Sequence, residues 1–210
     1  AVAVQRVVQR MQVAEGRVAD GLATARSCLS EGQRRGLTGS ALDLLRFQVA
    51  IATFRSKDWP AAVRLFRDGV VEGLTGDRWR QNYVSALVNL SGEAVTGGTD
   101  AGLELLVEGA AILEGDGDVL AALWRVVLTS AKRLGEQGKA GRGIRLIEDT
   151  AALGLPRGDG ELLRGIYVTW TAEAARAGDR GRCLAVAAEG MGAFPEDEAI
   201  RNNYEYCLDL

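Results

Sequence analysis

The chain contains no histidine. That absence excludes a histidine-dependent triad, a histidine general base and a histidine metal ligand within this chain. Cysteine is scarce. Cys28, Cys183 and Cys207 are odd in number, far apart and without a CxxC spacing. They signal neither a disulfide framework nor a zinc site. Charge of one sign is missing too, because 25 basic residues face 28 acidic ones and leave a net charge of −3. No global basic field marks nucleic acid as a partner. No apolar run approaches the ~20 residues that span a bilayer, so membrane insertion is not expected. No segment of any length alternates polar and apolar residues with period two, which argues against a sheet. Proline occurs only at Pro60, Pro156 and Pro195, one expected at a helix start and two in turns.

What is present is a hydrophobic fraction of 47% over 210 residues, enough to bury a core. The chain opens Ala1-Val2-Ala3 without Met and is read as a fragment or processed form of a longer protein. Its most informative feature is repetition. The phrase GLTG occurs at 36–39 and again at 73–76. RLFRDGVVEGL (64–74), ELLVEGAAILE (104–114), RLIEDTAALGL (145–155) and AVAAEGMGAFP (185–195) align at intervals of 40, 41 and 40. Each carries an acid, namely Asp68, Glu108, Asp149 or Glu189, followed by a small residue. CLSEGQRRGL (28–37) supplies an upstream copy, with Glu31-Gly32 in the same place. A second kind of block lies between these: RQNYVSAL (80–87) matches RNNYEYCL (201–208), 121 residues on. Both kinds repeat their apolar residues with helical spacing, and Gly- and Asp-rich breakers separate them.

Paired helices at this period resemble the tetratricopeptide (TPR-like) repeat. SKDWPAAVRLFRDG carries the resemblance through Ala62 at the crossing of two helices, Phe66 and Gly69. AGDRGRCLAVAAEGMGAFP carries it through Gly178-Asp179, Cys183, Gly190 and Pro195. The resemblance implies an all-α, right-handed α-solenoid of about five TPR-like helical hairpins plus a C-terminal helix. The repeats are read as 1–37, 38–74, 75–115, 116–156 and 157–195, with a capping or truncated helix at 197–210, in a single domain over 1–210. Gly102 and Gly143 are placed at the crossing position, where close approach compensates their poor helix propensity. Trp59, Trp79, Trp124 and Trp170 do not fall at one repeat position and are read mostly as core or inter-repeat packing, Trp79, beside Asp77 and Arg78 at a helix start, being the best candidate for exposure.

Three apparent chemical motifs fail on spacing. GEQGKAGRG (135–143) has Arg133 where a phosphate loop needs its first glycine, and Ala140 after Lys139. EGDGDV (114–119) lacks the remaining calcium-loop ligands and reads as a turn with Asp118 as N-cap. Arg157-Gly158-Asp159 falls at a repeat junction. The repeated acids are what duplication produces on a helix surface, so no catalytic residue, metal ligand or cofactor is assigned.

The resemblance implies a concave groove lined by the first helix of each pair. Its positions in this chain are Arg78, Gln81, Ser85 and Asn89; then Arg125, Thr129, Lys132 and Arg133; then Asn202 and Tyr206. Such a polar groove with a basic centre suits a peptide with acidic groups or a free C-terminus. The function expected is a non-enzymatic interaction scaffold for another protein or another domain of the parent chain. The alternative is a ligand- or peptide-sensing regulatory domain, with an α-helical enzyme behind both. Self-association is expected to involve the C-terminal helix. The compartment is not written in the chain, and the cytoplasm is the favoured assignment.

Overall fold

The computed structural model describes residues 17–74, 77–114, 116–137, 139–153 and 160–210. These form ten α-helices and no strand. They are α1 (Val18–Arg34), α2 (Ser40–Arg55), α3 (Trp59–Val71), α4 (Asp77–Thr96), α5 (Leu103–Ile112), α6 (Gly117–Glu136), α7 (Ala140–Ala152), α8 (Gly160–Arg176), α9 (Arg180–Ala193) and α10 (Glu198–Leu208). The fold is therefore all-α and made of consecutive helical hairpins. The helices divide between two compact units, one of residues up to Glu93 together with Glu104–Glu114, the other of Ala94–Leu103 and Gly115–Leu210. Pro156 and Arg157-Gly158-Asp159 lie outside the described residues.

Short-range chemistry sets the helix ends. The repeated GLTG begins each time as a C-terminal cap. Gly36 and Gly73 adopt φ of 69° and 67°, a region closed to most side chains. The next amide then folds back: Leu37 N–H donates to Gly32 O and Leu74 N–H to Gly69 O, both at 3.0 Å. These are Schellman closures, and a leucine directly after the glycine can turn back onto the helix it ends. At the other end aspartate recurs. The carboxylates of Asp58, Asp116, Asp179 and Asp197 accept from the first-turn amides of α3, α6, α9 and α10. Asp116, not Asp118, caps α6, because Asp116 Oδ1 accepts from Asp118 N–H at 3.2 Å and Val119 N–H at 3.4 Å. Gly102 is not a helix-crossing residue either. It precedes α5 with φ of 84°, so its freedom serves a turn.

In the first unit α1 packs on α2 and α2 on α3. Ala25, Val49 and Ala52 form a core there, flanked by Leu22, Leu29 and Leu65. The small residue after each repeated acid has a packing reason. A Cβ on Gly32 would stand 2.7 Å from Leu45 Cδ1, one on Gly109 would stand 2.5 Å from Leu87 Cδ1, and one on Gly69 would overlap the Trp79 ring. Each glycine thus lies under a large side chain of a neighbouring helix. Trp79 is accordingly 2% exposed and belongs to the core despite its polar neighbours. It completes an aromatic cluster, 5.0 Å from the Phe47 ring and 6.0 Å from Phe66 in edge-on geometry. On the rim Arg67 reaches Asp68 of its own helix at 2.8 Å and Glu108 of α5 at 3.2 Å, joining two of the repeated acids.

In the second unit α6 packs on α7 and α8, α8 on α9 and α10, and α9 on α10. Each first helix therefore meets its own partner and the next first helix, which is the in-line stacking of an α-solenoid. Trp170 on α8, 1% exposed, fills the space left by two glycines. A Cβ on Gly135 would overlap its indole ring, and one on Gly143 would stand 2.8 Å from both its Cζ2 atom and the Ala131 carbonyl oxygen. Gly190 plays the same part beneath α10, where a Cβ would meet Ile200 at 3.0 Å and Tyr167 at 3.1 Å.

The absence of a disulfide signal is corrected here: Cys183 of α9 and Cys207 of α10 form a disulfide, with their Cα atoms 5.6 Å apart. Both are fully buried, among Ala174 and Ala187, with Tyr204 and Leu184 packed around them. Cys28 is also buried.

Tyr83 on α4 is fully buried, and its hydroxyl has no hydrogen-bond partner among the described residues. Burial pushes its ionisation up to about 12, and the nearby Glu108 carboxylate adds to that shift. The folded state thus favours the neutral phenol. Its contribution to stability is complete below the unfolded tyrosine pKa of about 10 and declines as pH rises from there towards 12. Tyr83→Phe is expected to hold or raise the melting temperature at pH 7, since it removes an unsatisfied polar atom. It should also flatten the alkaline limb of melting temperature against pH. A lower melting temperature for the variant at neutral pH would contradict this account.

Candidate binding surface

On α4, in the first unit, Arg78, Gln81, Ser85 and Asn89 are all exposed. They recur every three or four residues and so share one helix face. The stripe is braced from within. Ser85 Oγ donates to Gln81 O at 2.9 Å, and Asn89 Nδ2 donates to Ser85 O at 2.7 Å. The Arg78 guanidinium lies 4.7 Å above the Phe47 ring, which fixes a cation beside the aromatic cluster.

On α6, in the second unit, Arg125, Thr129, Lys132 and Arg133 lie at spacings of four, three and one and form a second stripe. Arg125 and Lys132 are exposed, whereas Thr129 and Arg133 are half-buried. Arg133 reaches inward. Its Nη1 is buried without a hydrogen-bond partner among the described residues, near Gly98. The solvent-facing positive charge of this stripe is therefore carried by Arg125 and Lys132.

On α10, Asn202 and Tyr206 are exposed, Tyr206 to 59%. Tyr206 borders a depression of about 220 Å³ between α8 and α10, lined also by Thr171, Ala172, Ala175, Arg176 and Asn203. Asn202 does not line it. Asn203 is oriented by its amide, which donates to Val168 O at 3.4 Å. Thr171 is turned inward, its hydroxyl donating to Tyr167 O at 2.7 Å. Ala172 and Ala175 contribute small apolar side chains to the lining, and Arg176 supplies the cation. The sequence reading carried stripes onto α4, α6 and α10 but none onto α8, and so missed Arg176. Ala172 and Ala175, two small residues three apart on a first helix, were the available signal for a depression there.

Among the described residues no cluster of three metal-binding side chains occurs, and no helix is long and apolar enough to cross a membrane. Asp149 and Glu189, the other two repeated acids, are exposed on α7 and α9.

No protein-family model matches the chain, and no curated protein matches it. Solved structures similar to it include the following two. One is a thermophilic TPR protein in Thermus thermophilus, at 16% identity over 100% of both chains with a TM-score of 0.40. The other is a monomeric mutant of IFIT1 with a capped RNA, at 12% identity over 96% of this chain and 42% of that one with a TM-score of 0.26.

Proposed function

We propose that the protein is a non-enzymatic interaction module whose second unit holds a peptide or loop of a partner protein on the surface of its first helices. The observation that carries this reading is the depression between α8 and α10, lined by Arg176, Asn203 and Tyr206. Its volume of about 220 Å³ decides the kind of occupant. Small-molecule clefts run from ~300 to 1,000 Å³, so this one suits one or two side chains better than a free metabolite. An exposed tyrosine beside small alanine side chains offers apolar contact, and the arginine offers a charge-assisted hydrogen bond to an acidic group. Arg125 and Lys132 on α6 extend the positive surface of the same unit.

The test is charge reversal at exposed positions. Arg125→Glu with Lys132→Glu, and separately Arg176→Glu, are expected to fold normally and to weaken capture of a fluorescein-labelled Asp/Glu-rich peptide about tenfold or more at low salt. Arg133 is left intact because it is half-buried. Equal binding by wild type and both variants would remove the proposal.

A further inference from the structure

The internal repeat lays the second unit on the first at an offset of 121 residues. The local structure keeps that register. Asp58 and Asp179 each cap the helix that follows, and Lys57 and Gly178 just before them take φ of 62° and 66°. Every residue lining the depression between α8 and α10 therefore has a counterpart on α2 or α4. Arg176 matches Arg55 and Asn203 matches Asn82, so the cation and the amide are kept. Thr171 matches Ala50, and both are buried. The large changes fall at three positions. Ala172 stands where the first unit has Ile51, Ala175 where it has Phe54, and Tyr206 where it has Ser85. In the first unit the Phe54 ring lies edge-on, 5.1 Å from the ring of Trp59 and 6.3 Å from that of Phe66. Their counterparts are Arg180 and Ala187, so the second unit has no ring at any of these three positions. Ser85 is exposed although the chain continues past it through α5, so this helix face stays open inside the repeat and not only on α10.

We propose that the depression is an anchor subsite for one aromatic ring. A phenylalanine or tyrosine of the partner's peptide enters it, and an acidic residue next to that ring in the peptide meets Arg176. The inference rests on the assignment of this depression to a partner's peptide and names the residue it selects. Size, duplication and the lining agree on a ring. A cavity of about 150 Å³ accepts benzene, so about 220 Å³ accommodates a phenyl group. The apolar mass missing relative to the first unit includes a phenylalanine ring, at Ala175. Tyr206, 59% exposed, offers a guest ring the edge-on pairing that Phe54 makes with Trp59. Arg176 is exposed and has no ion-pair partner among the described residues, which leaves its charge for an incoming carboxylate.

The probe is a pair of fluorescein-labelled Asp/Glu-rich peptides that differ at one central residue, phenylalanine in one and alanine in the other. Each is titrated with the intact protein and followed by anisotropy. The phenylalanine peptide is expected to bind about tenfold or more tightly than the alanine peptide. Two variants return the site to the residues of the first unit. Ala172→Ile with Ala175→Phe fills the depression from within, and the two peptides should then bind equally. Tyr206→Ser, at an exposed position, removes the rim ring and should cut the preference about threefold or more. Circular dichroism checks that both variants fold, and Tyr206→Ser carries the test alone if the filled variant does not. Equal binding of the two peptides by wild type would overturn the ring subsite and leave the acidic-peptide reading standing. Binding of neither peptide would remove both. A preference that persists in the filled variant, or in Tyr206→Ser where the filled one does not fold, would place the ring elsewhere and overturn the inference.

Discussion

Trp170→Ala is expected to cost about 3–5 kcal/mol, within the range for truncating a large buried aromatic. For a chain of this size that corresponds to a melting temperature about 10 °C lower. The reason is the number of helices that depend on one ring. Trp170 belongs to α8, yet it fills the space above Gly135 of α6 and Gly143 of α7. Without it, three helices of the second unit face a void. A second substitution makes the prediction specific. All three atoms nearest to a Cβ on Gly135 belong to Trp170. Gly135→Ala should therefore destabilise the wild-type protein by about 1–3 kcal/mol through overpacking. In the Trp170→Ala background that collision is gone, and alanine is the better helix former by up to about 1 kcal/mol. The sign of the Gly135→Ala effect should invert between the two backgrounds. Denaturant melts of the four proteins close the cycle. Equal effects in both backgrounds would show that the glycine serves something other than the tryptophan.

Loss of the Cys183–Cys207 bond is expected to cost about 3 kcal/mol, the chain-entropy value for a loop of this length. The two cysteines are 24 residues apart. The repeat supplies an unusual control. Ala62 and Ala86 stand at the matching positions of α3 and α4, also 24 residues apart, and both are fully buried. Replacing both cysteines with alanine therefore recreates a pair that the protein already accommodates. The loss should reflect the missing cross-link more than a packing defect. Calorimetry should show the oxidised protein melting about 10 °C above the alanine pair, and above wild type refolded under reductant. The alanine pair itself should not respond to reductant. Identical melting of oxidised and reduced wild type would remove the stabilising role of the bond.

Much of the fold was legible because duplication writes the same constraint several times. The all-α class follows from periodicity and the absence of alternation. The breakers fall at helix ends because αL glycines and capping aspartates act over a few residues. The errors came where an assignment needed contacts that no local window contains. Trp79 was the best candidate for exposure beside Asp77 and Arg78, but it packs against Gly69, ten residues earlier and on another helix. Gly102 fitted the crossing position by counting, yet the preceding turn had already claimed it. The disulfide was set aside on the odd number and wide spacing of the cysteines, although the repeat held the signal. Cys183 falls on Ala62 and Cys207 on Ala86, two small positions the same distance apart in both copies of the unit. The polar stripes could be read as helix faces. The depression beside Tyr206 could not, because it depends on how far α8 and α10 stand apart above Ala172 and Ala175.

One consequence of the cross-link concerns what happens when the chain is pulled. Stretched from its two ends, the polypeptide can surrender every helix and still keep the segment between Cys183 and Cys207 tied as a closed ring. At ~3.3–3.6 Å per residue, about 80 Å of contour is withheld from extension. A motor that threads substrates as a single strand would meet a doubled one there.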